Sequence, residues 1–429
     1  MTTPFKTFVL FTAILGWGIG VVAQVGRYEV RSISIEGYAS KTIELSDVIR
    51  EGSPFISVSL QAADFDQIRD LKIIGGSDTW VINEPDHPQP WEQVVYSPLI
   101  FVNREVKHIV IHNPHATHIR FTLHLFTPSP ILPSDITPSI RLRSGCDRLP
   151  PHKLRMDWCP SGDCPYGGNR TQTTPTHMIV HHSAGKNTSN DWDGVVRSIW
   201  HYHVVQRGWD DIGYNWLIAP TGQLYEGRGD RIKGAHFCGY NSKTMGVCMM
   251  GTYTGVPPTD TAVHTLEGLL TWTGFKYKIQ PLKRTLHTVS NSKLYGVSGH
   301  RDRCNTACPG DMLFNLLPVI RKEVSDRLEQ CGFKQGKEDN PVDPGHNPGK
   351  NGFFVRPTLV KDELTVRIGQ DIGLPVELAL LDASGRLVRY EMVKHAGDLT
   401  LKLSDVTAGL YILYASNSFK KWQVKLVKL

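Results

Sequence analysis

The chain has 429 residues, more than one ordinary core needs, which predicts two or three domains. Its hydrophobic share of 40% and charged share of 21% are ordinary for globular protein. The formal net charge of +6 permits contact with anionic polymers and is too mild to point to nucleic acid.

The first residues bear on compartment. Lys6 precedes an uncharged apolar run from Phe8 to Val22, and small Val21 and Ala23 occupy the −3 and −1 positions of a cleavage site. This pattern predicts a secretory signal peptide over residues 1–23, because the run is short for a membrane span. A secreted, soluble mature chain is expected. Export makes disulfides available to the eight cysteines, which all lie between Cys146 and Cys331.

Residues 24–139 read as a β-rich accessory domain. In "KHIVIHNPHATHIRFTLHLF" two alternating runs flank a turn: Ile109 and Ile111, then Ile119, Phe121, Leu123 and Leu125. His108, His112, His115, His118 and His124 look like a metal patch. The simpler reading puts His118 and His124 on the polar face of a strand. The proline-rich "FTPSPILPSDITPS" marks a linker.

Residues 140–332 mix helices and strands. Val196, Ile199, Trp200 and Val204 form a helical stripe, and "TDTAVHTLEGLLTW" and "DMLFNLLPVIRKEVSDRLEQC" read as amphipathic helices, the second with Pro318 as a candidate kink. "MGVCMMG" suits a buried central strand. The expected fold is an α/β domain with a mixed sheet flanked by helices. Residues 333–352 are charged and Pro/Gly-rich, hence a linker, and residues 353–429 hold six short strands expected to form an antiparallel β-sandwich, with "DASG" as a hairpin turn.

Three segments carry candidate chemistry. "THMIVHHSAG" ends a strand with His181 and His182, and strand alternation lets only one of them face a given site. "SGHRDRCNTACPGD" offers His300, Cys304 and Cys308. One histidine of the pair with His300 and Cys308 makes three ligands and an open fourth position, as in catalytic zinc sites; Cys304 as a fourth ligand would make the site structural. Tyr214, in "GWDDIGYNW", is a candidate hydrogen-bond donor to a developing oxyanion.

"IVHHSAG", "GWDDIGYNW", "YEGRG", "GAHFCGYNSKTMGVCMMG" and "GHRDRCNTACPGD" occur in the order and spacing of the peptidoglycan-recognition and type 2 N-acetylmuramoyl-L-alanine amidase family, which residues 176–324 resemble. The resemblance implies that His181, His300 and Cys308 bind Zn2+. It implies that Tyr214 and Thr306 are catalytic, and that His236, Trp216, Arg228 and Asn241 meet substrate. Members that only recognise the polymer commonly lack the cysteine equivalent to Cys308. Thr306 stands where some family enzymes carry lysine. Gly229 is followed by Asp230, whereas members favouring diaminopimelate stems often carry Gly-Trp after the "GR".

The implied reaction is hydrolysis of the amide between the lactyl group of N-acetylmuramic acid and L-alanine, in peptidoglycan or muropeptides. The alternatives are a non-catalytic peptidoglycan-binding surface protein and an adhesin. If Cys308 is a ligand, at least one other cysteine is unpaired, and Cys248 in its apolar run is the expected one. A Cys304–Cys331 bridge and one among Cys146, Cys159 and Cys164 are expected. Cys238 has no evident partner.

"DASGRLV", "LSDVTAGLYIL" and the closing "WQVKLVKL" resemble the type IX secretion sorting domain, although "VRPT" replaces its usual Tyr-Pro-Asn-Pro entry. The resemblance implies the type IX machinery as a partner and an extracellular or cell-surface location. The sequence sets no oligomeric state.

Overall fold

A computed structural model describes residues 26–86, 89–130, 145–168, 170–333, 353–356, 359–369, 373–382, 386–417 and 421–428. The expected signal peptide and most of both expected linkers lie outside the described residues. Among the described residues no helix is long and apolar enough to cross a membrane.

The N-terminal domain is two packed sheets. One runs in the order Gly26–Ile35, Ile119–Pro128, Phe55–Ala62 and Val95–Tyr96, with Ile100–Asn103 also on Phe55–Ala62; the other runs Ser40–Glu44, His108–His112, Lys72–Gly75, Asp78–Val81. Alternation puts Ile109, Ile111, Phe121, Leu123 and Leu125 in one core between them. The Ile119–Pro128 strand extends into the stretch read as linker. His112 and His118 meet Ser40 and Ser34, and His115 meets the Arg69 carbonyl; the five histidines do not gather at a metal-competent site.

His124 lies on the face read as polar, and that face is buried. It is 5% exposed, bonded to Tyr28 Oη at 2.6 Å and Gln61 Oε1 at 2.9 Å. That face of the strand is covered by the central domain, whose His201 stacks on Phe126 at 3.9 Å between centroids.

The central sheet runs His152–Lys153, Leu224–Glu226, Trp216–Ile218, Thr244–Met249, His177–His182, Val297–Gly299. Of its five pairings only that between Leu224–Glu226 and Trp216–Ile218 is antiparallel. Thr244–Met249 is buried at every residue, as a central strand covered on both faces must be. Helices Asp260–Tyr277 and Asp311–Gln330 cover one face through Leu266, Leu270, Leu313 and Leu317. Pro318 lies inside the second helix, which continues through it. Helix Trp192–His201 covers the other face and passes into a π-helical turn, Tyr202–Gln206. Asp191 caps that helix by accepting the Gly194 N–H at 2.7 Å.

The disulfides are Cys146–Cys331, Cys159–Cys164 and Cys238–Cys304, with Cys248 and Cys308 as buried free thiols. The expected Cys304–Cys331 bridge is therefore corrected. The last helix ends beside the start of the domain, so Cys331 meets Cys146. Cys238 has a partner after all, because its loop packs on the loop after His300.

The C-terminal domain contains the six expected strands and two short ones before them. Phe353–Arg356, Glu363–Ile368 and Gly397–Lys402 form one sheet; Leu359–Val360, Lys421–Lys428, Gly409–Ser416, Val376–Asp382 and Leu387–Val393 form the other. Val366, Ile368, Leu378, Leu380 and Leu413 fill the space between. Leu359–Val360 pairs parallel to Lys421–Lys428, the exception to the antiparallel expectation.

Burial holds three histidines neutral. It pushes His124 and His177 down to about 4, the latter helped by neighbouring His287, and His201 down to about 3, helped by His124. The unfolded chain takes these protons near 6.5, so the associated stability is complete above that pH and is lost as pH falls towards 4. The loss is on the order of 2–3 kcal/mol per histidine. The melting temperature is expected to fall steeply between pH 6.5 and 4, and less steeply in His201→Gln; equal slopes in calorimetry would reject the assignment.

Candidate metal centre

The His177–His182 strand decides the orientation of the histidine pair. Met178 and Val180 face the helices Asp260–Tyr277 and Asp311–Gln330, and His182 shares that side, its Nδ1 accepting the Tyr253 N–H at 3.4 Å. His181 faces the opposite side and lies 0% exposed, its ring 4.5 Å from that of His300. His300 opens the short turn after Val297–Gly299, and Asp302 Oδ2 fixes that turn by accepting the Gly299 N–H at 2.8 Å.

Cys308 arrives on the turn before helix Asp311–Gln330. Arg301 holds this turn through the Cys308 and Ala307 carbonyls, and Thr306 Oγ1 accepts the Cys308 N–H at 3.1 Å. Gly310 is required here. Its φ is +87°, and a Cβ would come within 2.4 Å of the Tyr253 backbone. The Cys308 sulfur then lies 3.7 Å from His181 Nδ1 and accepts the His182 N–H at 3.3 Å.

One donor atom from each of His181, His300 and Cys308 lies within 4.8 Å of the others, and all three residues are buried. Two imidazoles and a thiol are a zinc donor set with a position left over. Cys238, His300 and Cys304 form a second such grouping, but both sulfurs are spent in a disulfide. Cys304 therefore does not complete a structural site. The bridge instead staples the His236 loop to the loop carrying His300 and Cys308.

A hydrogen-bond relay assigns the tautomer of His181. Thr244 Oγ1 has one proton and donates it to the Asn241 carbonyl at 2.7 Å. It must then accept from His236 Nε2, 3.2 Å away. His236 Nδ1 is left as an acceptor and takes the proton of His181 Nε2 at 2.9 Å. The lone pair of His181 thus sits on Nδ1, the atom facing Cys308. Gly246 makes room for this relay, since a Cβ there would come within 2.5 Å of the His236 ring.

Thr244→Val removes the anchor of the relay at nearly constant volume. It is expected to weaken metal affinity about 10- to 100-fold. Competition with a chromogenic chelator measures this, and unchanged affinity would show that the relay does not orient His181.

The four residues implied to meet substrate are all buried. His236 is 1% exposed behind His181. Asn241 Oδ1 accepts the His236 and Phe237 N–H groups, and the Arg228 guanidinium is spent on the Ile212, Lys233 and Asp211 carbonyls. Trp216 packs in the core against Trp272. Asp230 pairs with Lys276 at 2.6 Å and Tyr277 Oη at 2.6 Å, which turns it towards helix Asp260–Tyr277.

Tyr214 is 5% exposed, its ring 5.3 Å from that of His181. Its hydroxyl bonds the Cys248 thiol, so Cys248 is more than core filling. Burial first, then the neighbouring Cys248, Asp86 and Cys308, hold the phenol well above its ordinary value, so it keeps its proton at neutral pH.

The fold and centre define a class: an α/β protein with a buried His-His-Cys donor set at the ends of parallel strands. The N-acetylmuramoyl-L-alanine amidase family model matches residues 171–311, and the secretion system C-terminal sorting domain model matches residues 356–429. The peptidoglycan-recognition protein SC2 of Drosophila simulans is 34% identical over 157 residues, covering 34% of this chain and 79% of that protein. The human N-acetylmuramoyl-L-alanine amidase is 34% identical over 149 residues, covering 34% of this chain.

The chain belongs to this amidase and peptidoglycan-recognition family and carries a C-terminal sorting domain. It spans 24% of the human and 31% of the mouse amidase it matches. Among solved structures, Drosophila PGRP-LB is 30% identical, covering 38% of this chain and 88% of that one, with a TM-score of 0.32.

Proposed function

We propose that the protein is a secreted zinc-dependent N-acetylmuramoyl-L-alanine amidase. The observation that carries the reading is the convergence of His181, His300 and Cys308, with a relay that turns the His181 lone pair towards the thiol.

When bound, zinc supplies a hydroxide at neutral pH and polarises the scissile carbonyl. His181, His300 and Cys308 hold the ion, and His236 keeps His181 in the ligating tautomer. Tyr214 retains its proton and donates to the carbonyl oxygen as negative charge develops, and Thr306 supplies a second hydroxyl at the same turn as Cys308. The C-terminal domain directs export by the type IX machinery to the cell surface or medium, after a signal peptide takes the chain across the inner membrane.

Digestion of purified cell walls with mass spectrometry of the products tests the reading. Stem peptides with a free L-alanine amino terminus are expected. Disaccharide cleavage with intact lactyl amides, or no release at all, would sink it.

A further inference from the structure

Two donor sets meet at His300. The first is His181, His300 and Cys308. The second is Cys238, His300 and Cys304, whose donor atoms also lie within 4.8 Å of one another. In the oxidised chain the second set is closed, because the Cys238–Cys304 bond leaves neither sulfur a thiolate to offer an ion. Breaking that bond puts two thiols beside an imidazole. Two thiolates and one nitrogen match the charge and softness of zinc better than one thiolate and two nitrogens.

The second set is held in shape by more than its bond. The His300 carbonyl accepts the Cys304 N–H at 3.2 Å, so one backbone turn keeps the two residues together. On the other loop the Phe237 carbonyl accepts the Tyr240 N–H at 2.8 Å, which closes a turn around Cys238. Arg303 joins the two loops independently of sulfur. Its Nη2 donates to Tyr240 Oη at 3.0 Å, and its guanidinium lies 4.6 Å from the Tyr240 ring centroid. Cys304 shares an apolar cluster with Ile179, Phe237 and Leu294, and Cys238 packs against it.

The bond is also open to attack. Cys238 is half-buried, whereas Cys304 is 8% exposed, so a reductant reaches the pair from the Cys238 side. Cys238 has a φ of +40°, in the left-handed region that residues with a Cβ rarely adopt. Partial exposure and a backbone held against its preference mark the labile kind of disulfide.

We propose that the Cys238–Cys304 bond decides which of two metal sites His300 serves. Oxidised, His300 joins His181 and Cys308; reduced, it joins Cys238 and Cys304 in a second zinc site that draws the ion from the first. A neutral imidazole has one lone pair, so His300 holds one ion at a time. A dithiol supplies the two electrons and two protons of the step: the S–S bond breaks, two thiols form, and the dithiol closes to its own disulfide. The ion then displaces the two thiol protons. The transfer rests on the reading of His181, His300 and Cys308 as zinc ligands, whereas the second site stands on its own donors.

Cobalt(II) in place of zinc gives a sulfur-to-metal charge-transfer band that counts the thiolate ligands. The full chain is loaded with one equivalent and titrated with a phosphine, which reduces disulfides by taking oxygen from water and does not compete as a thiol ligand. The band should about double as one thiolate ligand becomes two. Activity on muropeptides should be lost over the same range. Cys308→Ala should show no band when oxidised and the two-thiolate band once reduced. Cys238→Ser with Cys304→Ser should keep a one-thiolate band throughout, although its other disulfides meet the same reductant. A wild-type band unchanged by reduction, an equal rise in the double variant, or a reduced chain that holds two thiolates and stays active overturns the proposal. A two-thiolate band in reduced Cys308→Ala, with no band in any oxidised chain, supports the second site and counts against the amidase centre instead.

Discussion

Tyr214→Phe is expected to lower kcat about 100- to 1000-fold, the usual loss when one oxyanion donor is removed. Metal content should stay the same, because the phenol is not in the donor set, and KM should change little. The ring is buried and tightly packed, so phenylalanine keeps its shape. What disappears is a proton held at the site by burial, and a hydrogen bond to the Cys248 thiol. Since the phenol is held well above 10, the alkaline limb of the wild-type pH–rate profile should not arise from Tyr214 below that pH. If kcat survives the substitution, Tyr214 serves only the core beside His181.

The candidate centre is legible in part from local rules, while the choice of His181 with His300 and Cys308 comes from the family resemblance. Alternation in "HMIVHH" sends His181 and His182 to opposite faces, and the buried neighbours Met178 and Val180 say which side His182 shares. "CPGD" announces a turn into a helix, and that turn delivers Cys308. The C-terminal strands were readable for the same reason, since period-two patterning and turn residues are local properties.

What could not be read depends on contacts between distant segments. His236 sits in a glycine-rich loop that looks like a substrate rim. Its position behind His181 depends on Gly246, on the neighbouring strand, leaving space for an imidazole. Cys238 and Cys304 are 66 residues apart, and nothing short of the folded loops says they meet. Alternation puts His124 on the polar face of its strand, but it reports which residues share a side, not what covers that side. The covering element, helix Trp192–His201, belongs to another domain.

Cys308→Ala is expected to abolish metal retention and to reduce amidase activity by more than about 1000-fold, leaving two imidazoles that do not hold the ion alone. The same variant separates metal from fold. A ligand that binds only the folded state stabilises it by about 2.7 kcal/mol at a hundredfold excess over its dissociation constant. Chelation should therefore lower the melting temperature of the wild-type chain and leave that of Cys308→Ala unmoved. The variant should itself start lower, by about 1–3 kcal/mol, because the His182 N–H loses its sulfur acceptor in a buried site. Cys248→Ala is the matched control. Its thiol is equally buried but lies outside the donor set, so chelation should still destabilise that variant. If the wild-type chain binds no zinc, or if chelation shifts all three proteins equally, Cys308 is not a ligand and the centre is a packed cluster of histidines beside a thiol.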